Sequence, residues 1–311
     1  MKADLPVIYL CIVDRGALKN IRFFIIKVYN RNKKIYTGEY MDYKISCMYF
    51  SPTGTTKKII DGIAFKIKEK SGDNIKINNI DFTLKSVREK SVKFGVDDIL
   101  IIGVPVYAGR VPNVLLKYLN TIIGCNSYAI PIVVYGNRNY DDALIELKNI
   151  LINNGFKVIA AGAFIGEHSF SDNLAKGRPD DKDMGIVNEF SDNIVKLFDE
   201  FPTENISVIG QTPLRSYFQP KDRNGNPFDF KRIIPKTNKN CMDCKLCSEI
   251  CPMESIDKND VSKLNGPCIK CCACIKSCPV HAKYFEDVNY LKHKQELEVD
   301  CEKRRKIEIF M

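Results

Sequence analysis

Cys241, Cys244, Cys247 and Cys251 follow the spacing C-x2-C-x2-C-x3-C, with Pro252 directly behind them. Twenty-seven residues further on the pattern returns as Cys268, Cys271, Cys274, Cys278 and Pro279. Three thiolates two residues apart can wrap one face of an iron–sulfur cube, while a fourth, beyond a three-residue gap, reaches the neighbouring cube. The spacing therefore predicts one [4Fe–4S] cluster on Cys241, Cys244, Cys247 and Cys278, and a second on Cys268, Cys271, Cys274 and Cys251. Structural zinc is the competing chemistry, since paired C-x2-C units also suit a tetrahedral ion. Zinc does not require three cysteines in C-x2-C-x2-C plus Cys-Pro, twice over. Clusters that only brace the fold are a further alternative, but two in one small unit are close enough to exchange electrons. Cys272 has Lys245 as its counterpart in the first repeat and reads as a non-ligand. Cys11, Cys47, Cys125 and Cys301 read as packing residues.

A second candidate for chemistry lies far upstream. Ser51-Pro52-Thr53-Gly54-Thr55-Thr56 follows an apolar run, Ile45–Phe50, and leads into a helical pattern with Ile59, Ile60, Ile63, Ala64 and Ile67 on one face. Hydroxyls together with free amides at a helix start form an anion site that needs no lysine. A plain hydroxyl cap on the helix would use the same residues. The loop lacks the lysine of a nucleoside-triphosphate loop, and no GxGxxG stands anywhere in the chain, so triphosphate and dinucleotide binding lose support.

The elements that must carry these groups alternate strand and helix from Met41 to Phe201. Strands are predicted at Ile45–Phe50, Asn74–Ile80, Asp98–Val104, Ala129–Tyr135 and Phe156–Ile165. Helices are predicted at Thr55–Lys70, Pro112–Ile123, Asp141–Asn153 and Asp183–Phe201. Near-continuous apolar runs such as Asp98–Val104 belong to strands covered on both faces. The pattern predicts an α/β fold with a doubly wound, five-stranded parallel sheet. Residues 202–237 form a connector dotted with proline and glycine, too long for a simple loop and expected to pack along the first domain. Residues 238–285 are the cysteine-rich unit, and residues 286–311 are a charged tail expected to lie helical or extended on a surface.

Residues 1–40 fit this plan poorly. Their runs Leu5–Val13 and Ile21–Tyr29 could pair as a hairpin, but no partner element is evident. Met41 opens the fold cleanly, and the codons of Gly38-Glu39 can spell a ribosome-binding sequence. The expectation is that residues 1–40 are an extension upstream of the native start, with a real N-terminal arm as the alternative.

The phosphate-type loop, in its strand–loop–helix setting, resembles the flavin mononucleotide (FMN) loop of flavodoxins. The whole arrangement from Met41 to Met311 resembles the ferrodoxin family, in which a flavodoxin-like domain is fused to a small α+β, bacterial-type ferredoxin domain with two [4Fe–4S] clusters. Gly166-Glu167-His168-Ser169-Phe170, Arg178-Pro179-Asp180 with Asp183, and the closing Arg305–Phe310 stretch belong to the likeness. Pro52 and Thr55 depart from commoner flavodoxin loops. The resemblance implies that Ser51, Thr53, Thr55 and Thr56, with the Gly54 amide, hold the FMN phosphate. It places the flavin ring at two loops on the carboxyl ends of strands, where open sheets bind ligands. The first is Pro105, Val106, Tyr107, Ala108, Gly109 and Arg110; the second is Gly136, Asn137, Arg138 and Tyr140. Gly109 and Gly136 allow close backbone approach, and Tyr107 and Tyr140 could flank the ring or simply pack. A guanidinium from Arg110 or Arg138 near the ring would favour an anionic reduced flavin; either could equally be an exposed arginine away from it. His168 reads as a supporting histidine rather than a proton donor, and His281 and His293 carry no signal.

Charge and length narrow the function. The formal net charge of +9 over 311 residues invites a nucleic-acid reading, but residues 1–40 hold eight Lys/Arg against three Asp/Glu and so supply +5 of it. Two clusters with their thiolates and one phosphate would subtract about six more charges. The loaded protein then lacks the basic footprint that nucleic acid needs. No apolar run approaches the ~20 residues of a membrane span. Thirteen cysteines, an odd number, nine of them packed into residues 241–278, suit ligand use in a reducing cytoplasm better than a disulfide scaffold. The foremost expectation is electron transfer between FMN, two clusters and a redox partner protein. A flavin-dependent reductase of a small molecule, fed by the clusters, comes next, and a redox or oxygen sensor last.

Overall fold

Alternation along the first strand shows how the sheet is covered. In β1 (Lys44–Tyr49), Ile45, Cys47 and Tyr49 point to one side, while Met48 and the following Phe50 point to the other, and all are buried. Such burial on both faces is the mark of a parallel sheet sandwiched between helices. The computed structural model describes residues 44–71, 75–198, 201–221 and 225–311; the expected hairpin and the upstream extension lie outside them. The described residues fall in one unit, Asp42–Met311.

β1 pairs in parallel with β2 (Lys76–Asp81) and β3 (Asp98–Pro105), and β3 with β4 (Tyr128–Tyr135). The fifth strand is broken into β5 (Lys157–Val158) and β6 (Ala161–Ile165), both parallel to β4. With two intervening elements of the cysteine region, β7 (Lys236–Thr237) and β8 (Lys283–Tyr284), the last strand is β9 (Glu308–Phe310), which joins β6 antiparallel. The sheet order is β2-β1-β3-β4-β6-β9. Its parallel part has the 2-1-3-4-5 order of flavodoxin-like, doubly wound folds.

Helices α1 (Thr55–Ser71) and α4 (Asp181–Leu197) cover one face. Ile59, Ile60, Ile63 and Ile67 of α1 meet Val187, Phe190 and Ile194 of α4 over Ile45, Ile99, Ile101 and Ile130. Gly62 is the close-approach point, since a Cβ there would lie 2.6 Å from the Met184 methyl. The other face carries α2 (Asn113–Leu119) and α3 (Ala143–Asn153), with Leu115, Leu119, Leu144 and Leu147 over Leu100, Ile102 and Val133. Cys47 and its neighbours are core; burial pushes its thiol up to about 12.

Two expectations need correction. The segment Phe156–Ile165 is interrupted at Ile159-Ala160, where Asn205 of the connector takes the Val158 amide (2.7 Å) and the Val158 carbonyl accepts from Ile206 (3.0 Å). The tail is not a surface appendage: its final segment is a sheet strand. Between β8 and β9 runs α7 (Val288–Asp300), capped by Asp287, whose carboxylate accepts from the Asn289 and Tyr290 amides. The cysteine region is otherwise small: β7 and β8 form a two-stranded antiparallel sheet, and α5 (Leu246–Glu249) and α6 (Ala273–Lys276) are single turns. No helix among the described residues is long and apolar enough to cross a membrane.

Candidate functional site

The cysteine repeat is a repeat of backbone shape as well as of sequence. Asp243, Lys245 and Glu254 have left-handed φ values of 53°, 63° and 52°. Their counterparts 27 residues on, Lys270, Cys272 and His281, have 53°, 62° and 50°. Non-glycine residues rarely adopt this conformation, and in alternation with right-handed residues it turns successive amides toward a common point, a device that binds anions. The amide of Ser255 donates to Cys251 Sγ (3.4 Å), and that of Ala282, its counterpart, to Cys278 Sγ (3.2 Å). Burial acts upward on the Cys278 thiol, but the amides of Ala282, Val280 and Lys283 outweigh it and hold the thiol below its usual value.

The thiols sort into two cavities. Cys241, Cys244, Cys247 and Cys278 line one of about 320 Å³, counted to its open mouth, together with Leu246, Val261 and Pro279. Cys251, Cys268 and Cys274 line another of about 280 Å³, with Pro235, Ile256 and Pro267. Cys271 is buried beside them, near enough to Cys268 and Cys274 for their charges to interact. Burial pushes the thiols of Cys268, Cys271 and Cys274 up. All eight cysteines are free thiols. Among the described residues no three Cys, His, Asp or Glu side chains gather closely enough to hold one metal ion.

The phosphate-type loop turns tightly between β1 and α1. Gly54, at φ +81°, donates to the Ser51 carbonyl (3.2 Å), and Ser51 Oγ accepts from the Lys57 amide (2.9 Å), capping the helix. Thr83 Oγ1, from the loop after β2, accepts from the Ser51 amide (2.9 Å) and fixes the start of the turn. Thr53 and Gly54 are exposed and Thr55 half-buried, whereas Thr56 is buried against Gly103 of β3. Thr55 also packs on Gly166 at the end of β6, so closely that a Cβ at 166 would collide with its methyl.

After β3, Pro105 and Val106 lead into a tight turn. Tyr107 and Arg110 exchange backbone hydrogen bonds (3.0 and 3.1 Å), and Ala108 and Gly109 have φ values of 52° and 77°. Both central residues are left-handed, the type I′ geometry that suits glycine. The turn holds Tyr107 beside the cysteine region: burial raises its hydroxyl pKa well above the usual value, and Cys271, Cys272 and Cys268 push in the same direction. Nothing in the sequence signals that contact.

Three residues expected at the ring are occupied elsewhere. Tyr140 is 3% exposed, packs on Tyr135 and donates to Glu308 Oε2 of β9 (2.8 Å); it is a core contact. Asn137, left-handed and buried, donates to the carbonyls of Cys301 (2.6 Å) and Lys303 (3.0 Å), and its own Oδ1 accepts from the Arg305 amide (3.1 Å). Arg110 forms a two-point ion pair with Glu146 (2.7 and 2.8 Å) over the Tyr217 ring. Arg138 stays at the loop surface, its guanidinium bound to Asp141 and 5.0 Å above Phe218. Its charge is thus partly balanced. Gly136 packs directly under His168, which burial brings down to about 4, with His293, Lys276 and Arg138 acting in the same direction.

Sequence reasoning missed the residues that join the two halves. Arg88, in a short 3₁₀ turn (Lys85–Glu89) after β2, donates to the carbonyls of Phe82 (3.1 Å), Thr83 (2.6 Å) and Pro252 (2.7 Å). It thereby ties the support of the phosphate-type loop to the residue after Cys251. Phe170, Phe230, Tyr290 and His293 form an aromatic cluster beneath the second repeat, with Tyr290 Oη 3.7 Å from Cys272 Sγ. A lone arginine and aromatics scattered over 120 residues leave no pattern to find. Asp142 docks the connector through the Gln211 and Arg215 amides (2.9 and 2.7 Å), and Ala108 O accepts from Phe218 (2.9 Å).

A scan against protein-family models finds no match, and a search of curated proteins finds none either. Among solved structures the chain is similar to a flavodoxin from the domain Archaea, with 15% identity over 50% of this chain and 99% of that one, TM-score 0.34. It is similar to Fusobacterium nucleatum flavodoxin bound to flavin mononucleotide, with 18% identity over 51% of this chain and 99% of that one, TM-score 0.35. An NADH:FMN oxidoreductase in its apo form shares 17% identity over 52% of this chain and 91% of that one, TM-score 0.36. The flavodoxin-like assignment of this half of the chain rests on its strand order.

Proposed function

We propose that this chain is an iron–sulfur flavoprotein that passes electrons between FMN, two [4Fe–4S] clusters and a redox partner protein. The carrying observation is the sorting of the thiols: each cavity takes cysteines from both halves of the repeat, with Cys278 in the first and Cys251 in the second. A single ion would need its thiolates within about 2.3 Å of one point. These thiols instead surround a volume, as a body with one thiolate at each of four corners requires. Cys241, Cys244, Cys247 and Cys278 would hold one cluster, and Cys251, Cys268, Cys271 and Cys274 the other. Ser51, Thr53, Gly54, Thr55 and Thr56 would hold the FMN phosphate, and the Tyr107 turn and Arg138 would border the ring. When bound, flavin exchanges one or two electrons and each cluster one, so a two-electron step can be split into single steps.

The protein's own part is positional. Thr83 and Ser51 keep the phosphate-type loop closed, and the left-handed residues aim amides at the thiol cavities. Tyr107 brings the candidate flavin loop against Cys268 and Cys271, with its buried hydroxyl kept protonated. Arg88 fixes the spacing between the halves.

Iron, sulfide and flavin analysis of anaerobically purified protein tests the reading. About eight irons and one FMN per chain are expected. Cys251→Ala and Cys278→Ala should each remove about half the iron. Zinc in place of iron, or iron unchanged in both variants, would overturn it.

A further inference from the structure

The two halves of the repeat share sequence spacing and backbone shape, yet their surroundings are opposite. Met242, between the first two cysteines of repeat one, is 63% exposed; its counterpart Ile269 is half-buried and packs against the core of the flavodoxin-like half. Cys244 is exposed where Cys271 is 8% exposed. Pro279, behind the fourth ligand of the first cavity, is exposed, while Pro252, behind that of the second, is buried and receives Arg88 at its carbonyl (2.7 Å). Sorted by cavity, these three pairs are broken in the same sense. Tyr107 and Arg88 reach the second repeat's surroundings at Cys271 and Pro252, while Met242, Cys244 and Pro279 stand exposed around the first cavity.

We infer that the surface around Met242, Cys244 and Pro279 is the docking face for a one-electron carrier protein, which exchanges electrons through the cluster nearest that face. This rests on the function proposed above. The rim specifies the carrier's chemistry. Asp243 is paired with Lys245 (2.7 Å) and Lys236 with Glu286 (3.8 Å), and the exposed charges near the first repeat that have no ion pair among the described residues, Lys239 and Glu249, are of opposite sign. An almost self-neutral rim around an exposed thioether and proline suits a partner whose own cofactor edge lies in near-neutral, apolar surface. It does not suit one steered by a large acidic or basic field. The contact belongs with the small, short-lived interfaces of redox encounters. Each transfer moves a single electron: the carrier is reduced by one, this protein is oxidised by one, and no bond or proton changes.

The test uses the full chain, purified anaerobically, with iron and flavin quantified before any other measurement. The unmodified protein, Met242→Leu, Met242→Glu and, on the exposed face of α1, Phe65→Glu are reduced with dithionite and mixed with a bacterial two-cluster ferredoxin as the probe carrier. With cofactor content equal in all four, Met242→Glu should slow transfer about tenfold, while Met242→Leu and Phe65→Glu keep the original rate. Amide hydrogen exchange at Met242–Leu246 should slow when the ferredoxin is added. Equal slowing in both glutamate variants, slowing in neither, or protection confined to another surface would overturn the docking face while leaving the cofactor reading intact. Loss of iron from the unmodified protein would overturn that reading and this inference with it. A dimer closed over Met242 in sizing experiments would reassign the face to a second copy of the chain.

Discussion

Replacing Arg88 by alanine should loosen the cysteine region from the sheet without touching any thiol. The guanidinium gives three hydrogen bonds to carbonyls and lies 5.5 Å from the centre of the Phe50 ring. Hydrogen bonds from a charged group contribute about 1.5–3 kcal/mol each, but burial of the guanidinium opposes them. Burial lowers the Arg88 pKa, and Glu254 restores part of it, the expected signature of that opposition. The carbonyls of Phe82, Thr83 and Pro252 would lose this donor, so a net loss of about 3 kcal/mol is reasonable. For a unit of this size that is a fall of roughly 6–12 °C in the melting midpoint. Circular dichroism melts, with exchange of the Glu254 amide as a local probe, would measure it. Arg88→Lys should recover less than half, because a single ammonium nitrogen cannot span carbonyls that two separate guanidinium nitrogens reach, Phe82 and Thr83 on one and Pro252 on the other. A shift no larger than that of Lys90→Ala, at an exposed neighbour, would refute the reasoning.

Three further outcomes follow from the same contacts. His168 titrates near 4 in the folded chain against 6.5 in the open one. Between those values the unfolded state binds more protons, so stability should fall as pH drops from 6.5 to 4, by at most about 3 kcal/mol. His168→Gln should flatten that slope in denaturant titrations, and an unchanged slope would remove the imidazole from the account. Asn137→Ala strips the amide that holds the Cys301 and Lys303 carbonyls and the Arg305 amide, and should cost about 2–3 kcal/mol in the same titrations; a loss under 0.5 kcal/mol would show the tail held by other contacts. Gly109→Ala would put a methyl on Asp141 at a left-handed position, and should lower the melting midpoint by several degrees. A midpoint within a degree of the parent would mean that the turn can relax.

The sheet was legible where burial imposed a pattern. β3 and β4 are near-continuous apolar runs because helices cover both their faces, and α1 carried its isoleucines at helical spacing for the same reason. The division of the thiols between two cavities, with Cys278 in the first and Cys251 in the second, was legible because the spacing of the repeat is itself geometric information. β9 was not: three residues give too little alternation to mark a strand, and their partner lies some 145 positions earlier. Tyr140 and Asn137 misled for a related reason. Polar and aromatic residues in a loop at a strand's end look alike whether they face a ligand or a returning chain segment, and here they face the tail. The left-handed φ of Asp243 and Lys245 also escaped, since neither residue type announces it.

The position of β9 changes what kind of object the cysteine region is. Because the chain leaves the sheet after β6 and α4 and comes back to pair with β6, that region is a guest loop whose two stems are both rooted in the host. Arg304 adds a lock at the returning stem through Asp180 and Asp183. A single protease nick in the connector would therefore open the loop without releasing either fragment, and the two would still travel together through a sizing column. Assembly is constrained in the same way: during synthesis the sheet's last edge stays open until the whole cysteine segment has emerged, so this edge is the last part of the host to close.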